Sequence, residues 1–187
     1  MTLTWRSREP TGLALALLHA GFRQTGAGAA ALFECSGVHL RLVPAEPGED
    51  DALVAAHDPV RGPDRRTTRL PAVGWATVDA GRLGRGWAVE LRPLAGDALL
   101  GADAWLAVGI SPATVLLEPA TEGRLAAALA RHGEGPIAIY AAAAGQEPPG
   151  SAIGTPFGAG ALAGLPPRWG PFLVLVSTPA RRVPSAR

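Results

Sequence analysis

Hydrophobic and polar residues alternate most clearly over residues 38–43, where Val38, Leu40 and Leu42 are separated by His39 and Arg41. A two-residue period predicts a strand with one face buried and one in water. Residues 31–35 read as its partner, joined through Ser36-Gly37, and residues 2–6 read as a short strand ahead of both. Between them, Pro10 and Thr11 open a helix over residues 12–20, with Leu13, Leu17 and Leu18 on one face and Gly21 as its left-handed stop. Residues 44–70 are polar and read as a linker, with one helical turn near residues 51–56. Strands are then expected at 72–78, 87–94, 104–108 and 114–118, and the three glycines in 79–86 predict a poor helix there. The clearest helix follows: Thr121 caps it, Leu125, Ala128, Leu129 and His132 mark one face, and Gly133 ends it. Residues 136–142 and 172–176 complete the strands. Residues 143–171, rich in Gly and Pro, predict little regular structure, and the Arg/Pro/Ser tail predicts fraying. Strand, helix, strands, and the same again imply an α+β protein of repeated modules, with helices on one face of curved mixed sheets.

Composition narrows the chemistry. A chain of 187 residues, 48% of them hydrophobic, suits one ordinary domain or two small modules, and no apolar run is long enough to span a bilayer. The 17 basic and 16 acidic residues nearly cancel, so no broad nucleic-acid footprint arises. Every basic residue is Arg, which excludes lysine chemistry such as Schiff bases or a P-loop Lys. The single cysteine, Cys35, permits no intramolecular disulfide and reads as a small buried hydrophobe in a strand. Arg6 and Arg8 ahead of an apolar stretch imitate a signal peptide, but Glu9, Pro10, His19 and Arg23 favour an amphipathic helix of a cytoplasmic protein.

Residues 99–142 carry a more specific pattern: Leu99-Leu100-Gly101-Ala102, then Leu116-Leu117-Glu118-Pro119, then a helix ending in His132-Gly133-Glu134-Gly135 before a strand. This run resembles the vicinal-oxygen-chelate (glyoxalase-like) superfamily, in particular the methylmalonyl-CoA epimerases and their relatives. The resemblance implies βαβββ modules whose paired sheets form a cleft, with helices outside. It divides the chain into an N-terminal βαββ half-module with linker (1–66) and a glyoxalase-like part (67–187). The family often holds a divalent metal through His, Glu or Gln on the first and last strands of each module. Carried over singly, those positions fall on Ala72, Val115, Ala138 and Val174. Methyl and isopropyl groups have no donor atom, so a degenerate member without metal or other cofactor is implied. If residues 1–44 pair in that register instead, the equivalent position falls near Leu40, again apolar.

Tyr140 and Phe172 share faces with Ala138 and Val174 and are expected to line the cleft, with Glu90 and Arg92 as polar contacts if their strand faces it. The four histidines have no zinc-ligand spacing, with His39 expected in solvent and His132 at a helix end. Gly26-Ala-Gly28 has a dinucleotide-like look in the wrong order of elements, and Arg61, Arg65, Arg66 and Arg69 form a local basic block. Three functions stay open. The first is a metal-free protein binding a small apolar or aromatic molecule, with a homodimer interface as one place for the cleft. The second is a metal-dependent epimerase, lyase or dioxygenase using Glu34, Glu90, Glu118 or His132. The third is an interaction protein whose cleft has closed into core. Neither nucleic acid nor membrane is expected as a partner.

Overall fold

The computed structural model describes residues 1–28, 30–57, 59–61, 70–120, 122–143, 152–164 and 169–177. The N-terminal unit has one strand more than expected: β1 (Thr2–Ser7), α1 (Pro10–His19), β2 (Arg23–Gly26), β3 (Ala31–Cys35) and β4 (Val38–Pro44). Its strands lie in the order β2-β3-β4-β1, with β1 and β4 parallel and Thr4 beside Arg41. Ser36 and Gly37, with φ of 45° and 87°, make the tight β3–β4 hairpin that positive φ at both central residues allows.

The helical turn expected near residues 51–56 is instead strand β5 (Ala52–Ala55), antiparallel to β1. Asp51 explains the difference. It is buried and accepts hydrogen bonds from the Ser7 hydroxyl at 3.0 Å, the Arg8 amide at 3.2 Å and Arg8 Nε at 3.0 Å. These bonds fasten the chain at the corner of β1 and α1 and aim it back along β1. Strand β6 (Val60–Arg61) follows. Arg65, Arg66 and Arg69 of the basic block lie outside the described residues.

A second βαβββ unit comprises β7 (Ala72–Ala76), α2 (Ala80–Gly86), β8 (Leu91–Pro93), β9 (Ala102–Ala107) and β11 (Thr114–Pro119), with β10 (Ile110–Ser111) paired to β6. The strand expected over 87–94 shrinks to β8, because α2 does form and uses Trp87 as its C-cap. Its glycines are offset by capping: Asp79 accepts from the Arg82 amide at 2.7 Å, and Glu118 accepts from the Ala80 amide at 3.0 Å. Gly84 lets Leu91 press against the helix, since a Cβ there would lie 2.8 Å from Leu91 Cγ.

Helix α3 (Arg124–His132) leads to the last unit, β12 (Gly135–Ala142), β13 (Ile153–Thr155), β14 (Gly158–Leu162) and β15 (Phe172–Val176). The Gly/Pro-rich stretch therefore holds two strands where little structure was expected. Thr121, the expected cap of α3, lies outside the described residues, and Gly123 occupies the N-cap position. Gly133 stops the helix with φ of 76°.

β7 and β12 pair antiparallel and join the last two units into one eight-stranded mixed sheet, β13-β14-β15-β12-β7-β11-β9-β8. This is an α+β fold of repeated βαβββ units, a half-barrel whose concave side is lined by apolar side chains. On its outer face α2 covers Trp75 and Leu116. Among the described residues no helix follows β12, and the outer-face residues Ile139, Ala141 and Leu173 are buried against Leu3, Trp5, Leu40 and Leu53 of the N-terminal unit. That unit thus stands where the third unit's helix would pack. Helix α1 is less amphipathic than expected: Leu17 is buried, but Leu15 and Leu18 are exposed.

Glu134 locks the seam at one end. It accepts from Thr77 Oγ1 at 2.6 Å, the Val78 amide at 2.9 Å and Arg82 Nη2 at 2.6 Å. Those bonds, led by the Thr77 hydroxyl and Arg82, hold its carboxyl near a pKa of about 2, against an ordinary 4.5. A depressed folded-state value contributes stability that is complete above 4.5 and lost as pH falls toward 2. Glu134→Gln should therefore lower the melting temperature at neutral pH and flatten its fall between those two pH values, as read by a pH series of thermal melts. Ile139→Ala should cost about 2–5 kcal/mol in chemical denaturation, with residues of both sheets unfolding in one transition.

Candidate functional site

The pairing of β7 with β12 fixes which side chains face into the half-barrel. Gly74 stands opposite Ala138 and Ala72 opposite Tyr140. Val115 neighbours Gly74 on one side, while Phe172 neighbours Ala138 and Val174 neighbours Tyr140 on the other. Side chains at paired positions point to the same face of a sheet. Six of the eight residues singled out in the sequence, Ala72, Val115, Ala138, Tyr140, Phe172 and Val174, therefore converge on one concave surface.

All six are buried in a single apolar cluster. Leu125 and Ala128 of α3 pack into it from the concave side, together with Leu99 and Leu100. Helix α3 is anchored there by the Leu125 amide donating to the Leu100 carbonyl at 2.9 Å and by Arg124 donating to the Leu99 carbonyl at 3.0 Å. Tyr140 fills the centre. A Cβ on Gly74 would lie 3.0 Å from Tyr140 Cε2 and from Ala138 Cβ, and 2.9 Å from Leu117 Cδ1, so the ring rests on bare backbone. Phe157 packs against its other side, with ring centroids 5.1 Å apart.

Among the described residues, the one charged group in this interior is Asp97, which the sequence pattern does not single out. Both Asp97 and Tyr140 are 0% exposed. The Tyr140 hydroxyl donates to Asp97 Oδ2 at 2.5 Å, and the Leu100 amide donates to Oδ1 at 2.9 Å. Burial raises the Asp97 carboxyl above its ordinary value, against the lowering effect of the Tyr140 hydroxyl and the Leu100 and Leu99 amides. Burial, then the neighbouring carboxylate, pushes the Tyr140 phenol well up, so it remains the donor. A lone Tyr following apolar residues, and a Gly-Asp turn ahead of Leu99-Leu100, were the available signals. Neither says that the two meet.

Glu90 and Arg92 do not join this group. Arg92 lies exposed on β8, four strands from β12 in the sheet order, and Glu90 is exposed just before it. Glu118 caps α2, Glu34 faces Arg23 at 3.9 Å, and His132 is exposed at the end of α3. Leu40 points to the α1 side of the N-terminal sheet and is buried there. Arg41 takes the place beside Thr4 that Val115 takes beside Gly74, which corrects the residue expected at that position.

The divalent metal that the resemblance implies does not fit these residues. Ala72, Val115, Ala138 and Val174 offer only hydrocarbon, and both Asp97 oxygens already accept hydrogen bonds. Among the described residues no three His, Cys, Asp or Glu side chains group together as ligands would.

The fold and the concave surface together define an α+β architecture of repeated βαβββ units with an apolar interior. No family model matches the chain, and no curated protein matches it. Among solved structures it is similar to the methylmalonyl-CoA epimerase of Streptomyces coelicolor in complex with 2-nitronate-propionyl-CoA, at 18% identity and a TM-score of 0.46, over 60% of this chain and 96% of that one. A hypothetical protein from Bacillus halodurans matches at 15% identity and 0.46, over 59% of this chain and 94% of that one. A xylose isomerase-like TIM barrel/4-hydroxyphenylpyruvate dioxygenase fusion protein matches at 14% and 0.37, over 76% of this chain and 36% of that one. These are likenesses of fold, and the chemistry open to this chain is set by its own side chains. No helix among the described residues is long and apolar enough to cross a membrane.

Tyr140→Phe tests the buried pair. It removes the donor to Asp97 Oδ2 and should cost about 1–3 kcal/mol. A folded-state carboxyl held above its unfolded value contributes stability at low pH that is lost as pH rises through the folded value. Removing the Tyr140 bond raises Asp97 further, so the loss should be larger at pH 7 than at pH 4. Urea denaturation at both values checks this; equal losses would uncouple Asp97 from Tyr140.

Proposed function

We propose that this chain is a metal-free, non-catalytic binding protein of glyoxalase-like fold that meets its partner through its surface. The filling of the half-barrel interior by Tyr140, with no donor atom at the four ligand positions, carries this reading. A divalent cation would need donors, and a substrate would need open volume beside Ala138 and Val174. Neither need is met by groups that pack as core.

The small apolar or aromatic ligand expected from the sequence keeps one supporting observation. The interior is walled by Tyr140, Phe157, Phe172 and aliphatic groups, so an aromatic guest would find matched contacts once Tyr140 moved aside. That exchange would strand Asp97 without its donor, which disfavours it. A homodimer is compatible with either reading.

Two measurements on purified protein separate these readings. Elemental analysis after growth with Zn, Ni, Fe, Co and Mn should find no stoichiometric ion, and one that is present and lost with a single side chain would end the metal-free reading. A thermal-shift screen with small aromatic and acyl compounds should leave the wild type unmoved and raise the melting temperature of Tyr140→Ala, whose vacated interior can take a ring. A compound that stabilises the wild type would establish the small-molecule reading, since ligand at 100-fold over Kd adds about 2.7 kcal/mol to the native state.

A further inference from the structure

The N-terminal unit repeats the βαβββ arrangement of the second unit, but its faces are used differently. Leu3 and Trp5 of β1 point to the α1 side, as Val73 and Trp75 of β7 point to the outer face. The opposite side of the N-terminal sheet, equivalent to the filled concave side of the half-barrel, is open. Arg6, His39 and Arg41 are exposed on it, and Thr4 is half-buried between them. Where the half-barrel places Gly74, Ala76 and Val115, this sheet places Thr4, Arg6 and Arg41.

Thr4 pairs with Arg41 and Arg6 with Val43, so Arg6 and Arg41 are diagonal neighbours. Their Cα atoms are roughly 8 Å apart by strand spacing and rise. Neither arginine makes an ion pair among the described residues. The remaining pair on this face, Arg23 with Glu34, sits to one side. Two apolar side chains flank the cations in the same row: Leu32, opposite Arg41, is 44% exposed, and Val54, opposite Thr4, is 49% exposed. The face is therefore cationic at its centre and apolar at its flanks.

We propose that this face docks an acidic partner polypeptide that presents carboxylates to Arg6 and Arg41 and apolar side chains to Leu32 and Val54. The inference deepens the surface-binding reading by naming the face and the partner's chemistry. Charge decides the occupant. A second copy set face to face would bring arginines against arginines, which opposes association. The chain's own segments 62–69, 144–151, 165–168 and 178–187 offer no acidic run to cover the face, since they hold Arg65, Arg66, Arg69, Arg168, Arg181, Arg182 and Arg187 against Asp64 and Glu147. Nucleic acid is poorly served, because none of the residues this face presents is Phe, Tyr or Trp, the rings on which bases stack.

The test uses the full-length chain and a fluorescein-labelled peptide alternating Glu and Leu, read by anisotropy. The wild type should bind it, more weakly as salt rises. The double reversal Arg6→Glu/Arg41→Glu should weaken binding by at least about tenfold with an unchanged melting temperature, while Arg85→Glu, on α2, should have no effect. A Gln-Leu peptide should not bind. Several results would overturn the proposal: no binding by the wild type, equal binding by the double variant, or a salt-sensitive affinity for an oligonucleotide or anionic vesicles that exceeds the peptide's. A concentration-dependent dimer abolished by the same reversal would also overturn it, because it would give the face to a second copy. All of these leave the metal and thermal-shift results unaffected, so failure here is distinguishable from failure of the closed-interior reading.

Discussion

The antiparallel seam between β7 and β12 governs both faces of the half-barrel. It sets Ala72, Gly74, Ala76, Ala138 and Tyr140 to one side and Val73, Trp75, Ile139 and Ala141 to the other. A strand has a side-chain period of two, so a slip of one residue would exchange these sets. Small residues on β7 leave space over the seam, and the Tyr140 ring fills it. The large residues on the outer side demand cover, and two different elements provide it. The Glu134 carboxylate, bound to Thr77, Val78 and Arg82, holds one end of this register.

Outer cover shows how the three units depend on one another. The second unit has its own helix, α2, made from a glycine-weakened sequence that Asp79 and Glu118 cap. The described part of the third unit has none, and the sheet of the first unit buries Ile139 and Leu173 in its place. In turn the first unit does not extend its sheet through β1 into another unit, because β5 occupies the edge that β12 occupies on β7. The Asp51 contacts that steer β5 thus help decide how the whole chain assembles.

Function follows from where polarity was kept. In the half-barrel, Ala72, Val115, Ala138 and Val174 carry only methyl and isopropyl groups, and the buried carboxylate of Asp97 is occupied by the Tyr140 hydroxyl and a backbone amide. Burying an ion without such partners would cost several kcal/mol, roughly. In the first unit the equivalent face carries Arg6, Arg41 and His39 in water. The apolar groups of this chain thus fill the concave side of the half-barrel, and its exposed cations gather on the open sheet of the first unit.

The sequence by itself determined the strands around Val38–Pro44 and the helix ending at Gly133, because periodicity and turn chemistry are local properties; that Ala72, Val115, Ala138 and Val174 share one face was implied by the resemblance and rests on the pairing of strands distant in the chain. That Ala72, Val115, Ala138 and Val174 carry no donor atom is likewise plain from the sequence, since it is a matter of side-chain identity. Periodicity did not reveal β5, which is held by β1 far back in the chain, nor β13 and β14, a short local hairpin whose Gly-rich sequence carries no alternating pattern. Nor did it reveal the Tyr140–Asp97 contact, spanning 43 residues. Only the tertiary structure decided whether the shared face was cleft or core, because that depends on α3 and the Leu99-Leu100 turn reaching across it. The fate of Leu40 and Arg41 was decided in the same way. Alternation separates them onto opposite faces, but which face meets water is set by the sheet that packs against the other.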